Sequence, residues 1–308
     1  MNTKKYDSII ILGPTASGKT SISLSLAKAL KGEIVNADSM QIYKHFNIGT
    51  AKPTPNELQT INHHLFDFVN PDNDFSVSDY RQFAENKINE LKNKNIIPIF
   101  VGGTGFYINS LISNYSYGNS EKNDDIREKY NQILNKKGHE HLHNLLQEVD
   151  YESSLKIHPN DTKRVIRALE IFETTGKKKS EVENLENNLN LNPLIIGLTY
   201  PREILYNRIN LRVDQMIQEG LVEEVQSLYK KFSINSQAFK GIGYKEFIPY
   251  FENKITLDEV KETIKMNTRR YAKRQLTWFR KTPNVNWYDK SIYSEEDIIK
   301  DIIAKFNS

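Results

Sequence analysis

The stretch Gly13-Pro14-Thr15-Ala16-Ser17-Gly18-Lys19-Thr20 constrains this chain more than any other segment. It fits G-x-x-x-x-G-K-[ST], and its surroundings make the match informative. Before it, Ser8-Ile9-Ile10-Ile11-Leu12 is a short apolar run that reads as a buried strand of a parallel sheet. After it, Ile22, Leu24, Leu26, Ala27 and Leu30 recur at helical spacing through residues 18–30. A strand, a glycine-rich loop and a helix in that order make an anion cradle. Glycines let the backbone wrap the ligand, and the amide N–H groups and the helix N-terminus face it. Lys19 adds a point charge, and the Thr20 hydroxyl is placed to hold Mg²⁺. The expected ligand carries phosphates, with ATP as the default.

More strands follow at the pace of an α/β core with a parallel sheet. Glu33 to Ala37 reads as a second strand, residues 76–94 as a helix with one apolar stripe, and Ile96 to Val101 as a third buried strand. From residue 119 to 192 the character changes to polar and helical, with no convincing strand, until Leu194-Ile195-Ile196-Gly197-Leu198 restores the pattern. The expected organisation is a P-loop NTPase-like α/β core over 1–118 and 193–308, interrupted by an all-helical insertion over 119–192. Residues 181–192 are rich in asparagine and read as mobile. Beyond Pro201 the chain reads as mostly helical to Thr282, then a strand from Val285 to Tyr288 and a helix from Glu295 to Phe306.

A phosphate loop does not choose between hydrolase, kinase and transferase. Ordinary P-loop NTPases carry an acid that helps hold Mg²⁺, but the third strand here runs into Val101-Gly102-Gly103-Thr104-Gly105 with no carboxylate. The acid at a strand end is Asp38 instead, after the second strand, and so at the same C-terminal edge of the sheet as the loop. It suits a general base beside a bound pyrophosphate, a turn cap or a plain Mg²⁺ ligand. His63 and His64 lack an evident third metal ligand, which favours a structural or substrate-lining role. The chain has no cysteine, which excludes disulfides, thiolate zinc sites and a cysteine nucleophile. No apolar run is long enough for a leader or a membrane span, so a cytoplasmic protein acting away from membranes is expected.

A net charge of +3 is mild, but its distribution is not. Residues 261–281 hold eight Lys and Arg against one Glu, and Arg269, Arg270, Lys273, Arg274 and Arg280 interleave with Tyr271, Trp278 and Phe279. Cations with aromatics on a helix suit phosphates plus base stacking. A surface helix with its aromatics in the core would look the same at this stage.

In order along the chain stand Asn36-Ala37-Asp38-Ser39-Met40-Gln41-Ile42-Tyr43, Gly49-Thr50-Ala51-Lys52-Pro53, His63-His64-Leu65-Phe66-Asp67, Val101 to Gly105, Ile157-His158-Pro159-Asn160-Asp161, Lys163-Arg164-Val165-Ile166-Arg167, Arg212-Val213-Asp214-Gln215-Met216, Gly241-Ile242-Gly243-Tyr244-Lys245-Glu246 and Lys273-Arg274-Gln275-Leu276-Thr277-Trp278-Phe279-Arg280. With the phosphate loop, this series resembles the tRNA dimethylallyltransferases of bacterial type, also called tRNA isopentenyltransferases. Lys163 departs from that family's pattern, which has glutamine there; a polar, cationic residue at that point implies altered detail rather than lost function. The zinc finger of eukaryotic members is absent, as the lack of cysteine requires.

The resemblance implies transfer of a dimethylallyl group from dimethylallyl diphosphate to N6 of the adenine beside the anticodon, at tRNA position 37. It implies Asp38 as base, Thr104 near the reacting amine, and an arginine on the leaving group, Arg212 or alternatively Arg208. Asp38 to Gln41 and Thr104 would read an extruded base. Arg127, Lys163 to Arg167, Gly241 to Glu246 and Lys273 to Arg280 would contact the tRNA, and the protein would act as a monomer with Mg²⁺. Three other readings remain at this stage: a P-loop kinase, a prenyltransferase of free adenine nucleotides, and a non-catalytic RNA-binding protein.

Overall fold

The central strand β1 (Ser8–Leu12) is buried along its whole length, as its unbroken apolar run demands. It pairs in parallel with β4 (Ile97–Gly102) on one side and β5 (Pro193–Thr199) on the other. β2 (Gly32–Asn36), β3 (His63–His64) and β6 (Asn286–Asp289) complete an all-parallel six-stranded sheet in the order β3-β2-β4-β1-β5-β6. The computed structural model describes residues 5–113, 123–183, 189 and 191–308. The chain divides into two compact units, Met1–Ile112 with Asn190–Ser308, and Ser113–Leu189.

In the first unit, α1 (Lys19–Leu30) and α13 (Glu295–Asn307) cover one face of the sheet. Ile22 and Leu26 from α1 and Ile298 and Ile302 from α13 pack on Ile9, Ile11, Ile99 and Ile196. The alternate residues Ile10, Leu12 and Phe100 are buried on the other face. There α3 (Val77–Asn93) and α4 (Gly105–Ile112) lie after β3 and β4 in the chain, while α2 (Pro55–Thr60), after β2, shares a cleft with Ala27 and Lys28 of α1. Tyr80 of α3 stacks on Tyr107 of α4 at 3.8 Å and donates its hydroxyl to Asn36 O, tying both helices to the end of β2. Residues beyond Pro201 form α9 (Arg202–Gln218), α10 (Leu221–Lys231), the short α11 (Ile248–Phe251) and α12 (Leu257–Phe279).

The second unit is helical throughout its described residues, with α5 (Asp124–Val149), α6 (Tyr151–Lys156), α7 (Thr162–Thr175) and α8 (Lys179–Glu183). Gly138, at φ 81°, breaks α5 into two helices. Tyr130, Leu142, Leu146, Val165 and Leu169 form its core.

The strands read from the sequence stand within a residue or two of their places, β6 being shifted by one. The two-residue edge strand β3 was not foreseen; His63 and His64 pair there with Ile34 and Val35. The expected boundary at 118 and 119 lies outside the described residues, as does half of the asparagine-rich stretch, while residues 181–183 belong to α8. Among the described residues no helix is long and apolar enough to cross a membrane.

Candidate active site

The sheet order sets the site. The phosphate loop leaves β1, residues 103–105 leave β4, and Asp38 leaves β2, so three neighbouring strand ends open on one edge. Gly13 leaves β1 against β5, where a Cβ would lie 2.5 Å from Leu198 O. Gly18 caps α1 at φ 81°, a left-handed conformation that favours glycine. The Lys19 ammonium curls back on the loop and donates to Gly13 O at 2.9 Å and Pro14 O at 2.8 Å. Burial lowers its pKa to about 8, with Asp38 opposing and Arg212 reinforcing the shift. The Ser17 hydroxyl is buried in the loop with no hydrogen-bond partner, an orphan that an anion's oxygen would satisfy.

Asp38 is held rigidly. Its amide donates to Asn36 Oδ1 at 2.8 Å, and the Asn36 side-chain amide donates to Asp38 O and Leu65 O. The Asp38 carboxylate accepts from the Met40 amide at 2.9 Å. Burial still raises its pKa, beyond what the Met40 and Gln41 amides, Lys19 and Arg212 offset. Thr104 Oγ1 accepts from the Ser39 amide at 2.9 Å and donates to Ser39 Oγ at 3.1 Å. Asp38, Ser39 and Thr104 thus form one constellation on two strand ends.

Of the two candidate arginines, Arg208 holds the loop itself. Its Nε donates to Ala16 O at 2.9 Å, and its guanidinium lies over the Tyr200 ring. Arg212, one helical turn on, is depressed by burial while Asp38 pulls the other way, so it shares the field of the carboxylate and Lys19. Arg208 is thus committed to the loop backbone, and Arg212 is the arginine electrostatically coupled to Asp38.

Helix α12 closes over this edge. Gln275 is buried; its Oε1 accepts from the Thr15 amide at 2.9 Å and its Nε2 donates to Gly103 O at 2.8 Å. A Cβ on Gly103 would lie 2.3 Å from Gln275 Nε2, and one on Gly105 would lie 2.5 Å from the Trp278 ring. The glycines after β4 are therefore landing points for α12. The Tyr271 hydroxyl reaches Gly103 O at 3.4 Å, and burial beside Asp38 raises its pKa. Trp278 packs on the half-exposed Phe106 at 4.7 Å.

The residues assigned to tRNA contact fall into two groups. Arg270, Lys273, Arg274, Thr277 and Arg280 are exposed along one side of α12, whereas Lys265 nearer its start is committed to Asp214 at 2.9 Å. Several others belong to the scaffold. Gln275 and Phe279 are buried, and Leu276 packs with Ala16 and Leu205. Gly241, Gly243, Tyr244 and Glu246 are also buried, leaving Lys245 as the exposed member of that segment and Ile242 partly covered. Close approach is the reason. A Cβ on Gly241 would lie 2.5 Å from Met40 Cε, and one on Gly49 would meet the Tyr244 ring at 2.6 Å.

In the helical unit Lys163 and Arg164 are exposed, but Val165 and Ile166 are core residues with no surface for a nucleic acid. Arg127 and Arg167 both bind the buried Glu170, at 2.9 and 2.7 Å. Burial alone would raise Glu170; these bonds and the Asn123 amide bring it below its ordinary value. Arg164 lies at 3.3 Å from Asp161.

Sequence reasoning missed Glu224. Its carboxylate accepts from the amides of Asn47, Ile48 and Gly49 and from the Tyr244 hydroxyl at 2.8 Å. That fixes a loop whose Thr50 and Ala51 carbonyls accept from Gln41 Nε2. A lone glutamate on an amphipathic helix gave no signal of this. His64 pairs with Glu33 at 2.5 Å and His63 with Ile61 O, both structural. No group of three or more His, Asp or Glu able to hold a metal occurs among the described residues.

Known proteins supply an independent view. The family model described as IPP transferase matches residues 41–282. A tRNA dimethylallyltransferase of Alkaliphilus oremlandii is 47% identical, covering 97% of this chain and 98% of the relative. One from Bacillus cereus is 48% identical over 91% of this chain and 89% of its own length. A solved tRNA isopentenylpyrophosphate transferase of Bacillus halodurans superposes with a TM-score of 0.72 at 41% identity, covering 97% of each chain. A eukaryotic dimethylallyltransferase acting on tRNA reaches 0.81 at 31% identity, over 96% of this chain and 77% of that one.

Proposed function

This chain belongs to the IPP transferase family and transfers a dimethylallyl group to tRNA, and from that premise we propose that dimethylallyl diphosphate is the donor, N6 of the adenine at position 37 the acceptor and diphosphate the leaving group. One observation carries this reading: a buried carboxylate of raised pKa, Asp38, shares a field with the loop cation Lys19 and with Arg212.

The chemistry assigns each group a task. An exocyclic adenine amine is a weak nucleophile because its lone pair is delocalised into the ring. As its nitrogen bonds to the allylic C1, the C1–oxygen bond to the diphosphate breaks and the amine proton passes to Asp38. Burial makes that carboxylate a stronger base than an exposed aspartate. Thr104, fixed by Ser39, would hydrogen-bond the amine. Diphosphate leaves once its charge is neutralised, by the loop amides, Lys19 and Arg212.

The residues present fit a Mg²⁺ ion brought in with the diphosphate. Mg²⁺ usually takes one or two protein oxygens and completes its shell with substrate phosphates and water. Here Thr20, in the first turn of α1, is the available protein oxygen. The ion would supply further charge neutralisation on the leaving group. Exposed cations of α12, with Lys163 and Arg164 of the helical unit, would bind tRNA phosphates. A monomer working in the cytoplasm completes the reading.

The test incubates the protein with labelled dimethylallyl diphosphate, Mg²⁺ and either unmodified tRNA, AMP, or ATP with small metabolites. Label is expected on tRNA alone, at position 37, and Asp38→Ala should abolish turnover while tRNA still binds. Label on AMP, or near-normal turnover in Asp38→Ala, would sink the acceptor or the base assignment respectively.

A further inference from the structure

Lys290 follows β6 directly, on the edge where the phosphate loop leaves β1. Its amide donates to Thr199 O at 3.0 Å, which fixes it where β5 and β6 end together. β5 lies between β6 and β1, so the Lys290 backbone starts about two strand spacings, roughly 10 Å, from that of β1, and the side chain has to reach across the end of β5. It covers that distance: Nζ lies 2.5 Å from the point a Cβ on Gly18 would occupy, with Cε and Cδ alongside. The side chain is 7% exposed, so this is a sequestered ammonium placed against the residue that caps α1.

Glu295 Oε2 is its acid partner, at 2.9 Å. An ammonium has three donors and this bond uses one. Glu295 has a second source of stability, because it opens α13 and the positive end of that helix favours a carboxylate. It therefore tolerates losing the lysine. Lys290 has the opposite problem, since it lies beside the positive end of α1 and a loop that already carries Lys19. A phosphate oxygen in the loop would relieve both fields.

We propose that Lys290 is a second lysine of the diphosphate site: its ammonium moves from Glu295 to a diphosphate oxygen when the donor binds, and Glu295 parks it otherwise. The proposal rests on reading Gly13 to Thr20 as the diphosphate loop. It also gives Gly18 a second reason to be glycine, since any side chain there would displace the ammonium.

The experiment measures binding of inorganic pyrophosphate and of dimethylallyl diphosphate by calorimetry, with tRNA binding as the control. Lys290→Gln should raise both diphosphate Kd values about tenfold, the loss of one charge-assisted hydrogen bond, and leave tRNA affinity unchanged. Lys290→Arg should recover most of the loss. Glu295→Gln should act in the opposite direction and tighten pyrophosphate about threefold, because the ammonium no longer has a carboxylate to leave. A merely structural pair would weaken binding in both Lys290→Gln and Glu295→Gln, and that result overturns the proposal. Pyrophosphate binding lost in Lys19→Met but untouched in Lys290→Gln overturns it too, and leaves the loop reading standing. If the wild-type protein binds no pyrophosphate at all, both fall.

Discussion

Replacing Gln275 with leucine removes the clasp between α12 and the phosphate loop while nearly conserving volume. The glutamine makes two hydrogen bonds, from the Thr15 amide and to Gly103 O, at 2.9 and 2.8 Å. Each is worth about 1 kcal/mol net, and an orphaned buried partner adds about 1–3 kcal/mol. Thr15 is half-buried and can recover a water, whereas Gly103 is buried and has less access. The expected loss is about 2–4 kcal/mol. Urea denaturation followed by tryptophan fluorescence measures it cleanly, because both tryptophans, Trp278 and Trp287, lie in the unit that contains the sheet. Function should change with stability. With the Thr15 amide released, the loop must be ordered by the donor itself, so KM for dimethylallyl diphosphate should rise about tenfold, roughly 1.4 kcal/mol, with a smaller change for tRNA. Gln275→Glu keeps the acceptor for Thr15 but loses the donor to Gly103 and adds a charge near Asp38, and should weaken donor binding further. A stability change under about 0.5 kcal/mol with donor KM within about twofold, inside the range of an ordinary surface substitution, would refute the clasp.

The pH dependence of kcat/KM for the donor should be bell-shaped. Asp38 must be ionised, so the acid limb rises through a pKa above the ordinary carboxylate range; Lys19 must be protonated, so the alkaline limb falls from about pH 8. In Lys19→Arg the alkaline limb should move beyond the accessible range, and an unmoved limb would count against that assignment. Glu224→Ala should cost about 3 kcal/mol and raise KM for tRNA more than for the donor, because the loop it ties carries the anchors of Gln41; equal effects on both substrates would argue against a role in positioning the base. Affinity for tRNA should fall steeply with salt, each of Arg270, Lys273 and Arg280 removed lowering the log–log slope by about 1, while pyrophosphate affinity shows a much shallower dependence. Identical slopes in wild type and a triple variant would remove α12 from the tRNA interface.

The strands and the phosphate loop were legible because their signals are local. An apolar run ending in Gly-Pro and followed by Gly-Lys-Thr specifies strand, loop and helix without help from the rest of the chain. Asp38 was legible as an acid at a strand end, but only the sheet order shows which strand ends it faces. The edge strand β3 was not legible, since two histidines pairing with Ile34 and Val35 have no periodicity to read. The basic stretch of α12 was legible as a helix carrying cations and aromatics, but not residue by residue. Gln275 looked like one more polar contact residue, and its buried role depends on Gly103, 172 positions away. The same limit applied to Arg127 and Arg167: a cation on a helix reads as a surface charge until a buried acid such as Glu170 is found between the helices. Close approaches between distant glycines and side chains, as at Gly49 with Tyr244, are likewise properties of the packed chain alone.

The position of the acid is what separates this site from a phosphoryl-transfer site. There the acid helps hold the metal next to the phosphate loop. Here β4 lies between β1 and β2, so the backbone that carries Asp38 stands about two strand spacings, roughly 10 Å, from the backbone that carries the loop. The interval holds no acid from β4 and is covered by α12. Gly102 crosses so close to β2 that a Cβ would overlap Ala37 O at 2.0 Å, and Gly103 and Gly105 receive Gln275 and Trp278 of α12. A carboxylate beside the metal would serve the phosphorus; one set back on β2 would suit a nucleophile approaching a carbon attached to the far side of the diphosphate. Under the proposed reading Lys19 and Arg212 would act on the group that departs and Asp38 on the group that arrives. On that reading an acid after β4 has no part to play, and the glycines there serve instead as the seat of Gln275 and Trp278 of α12.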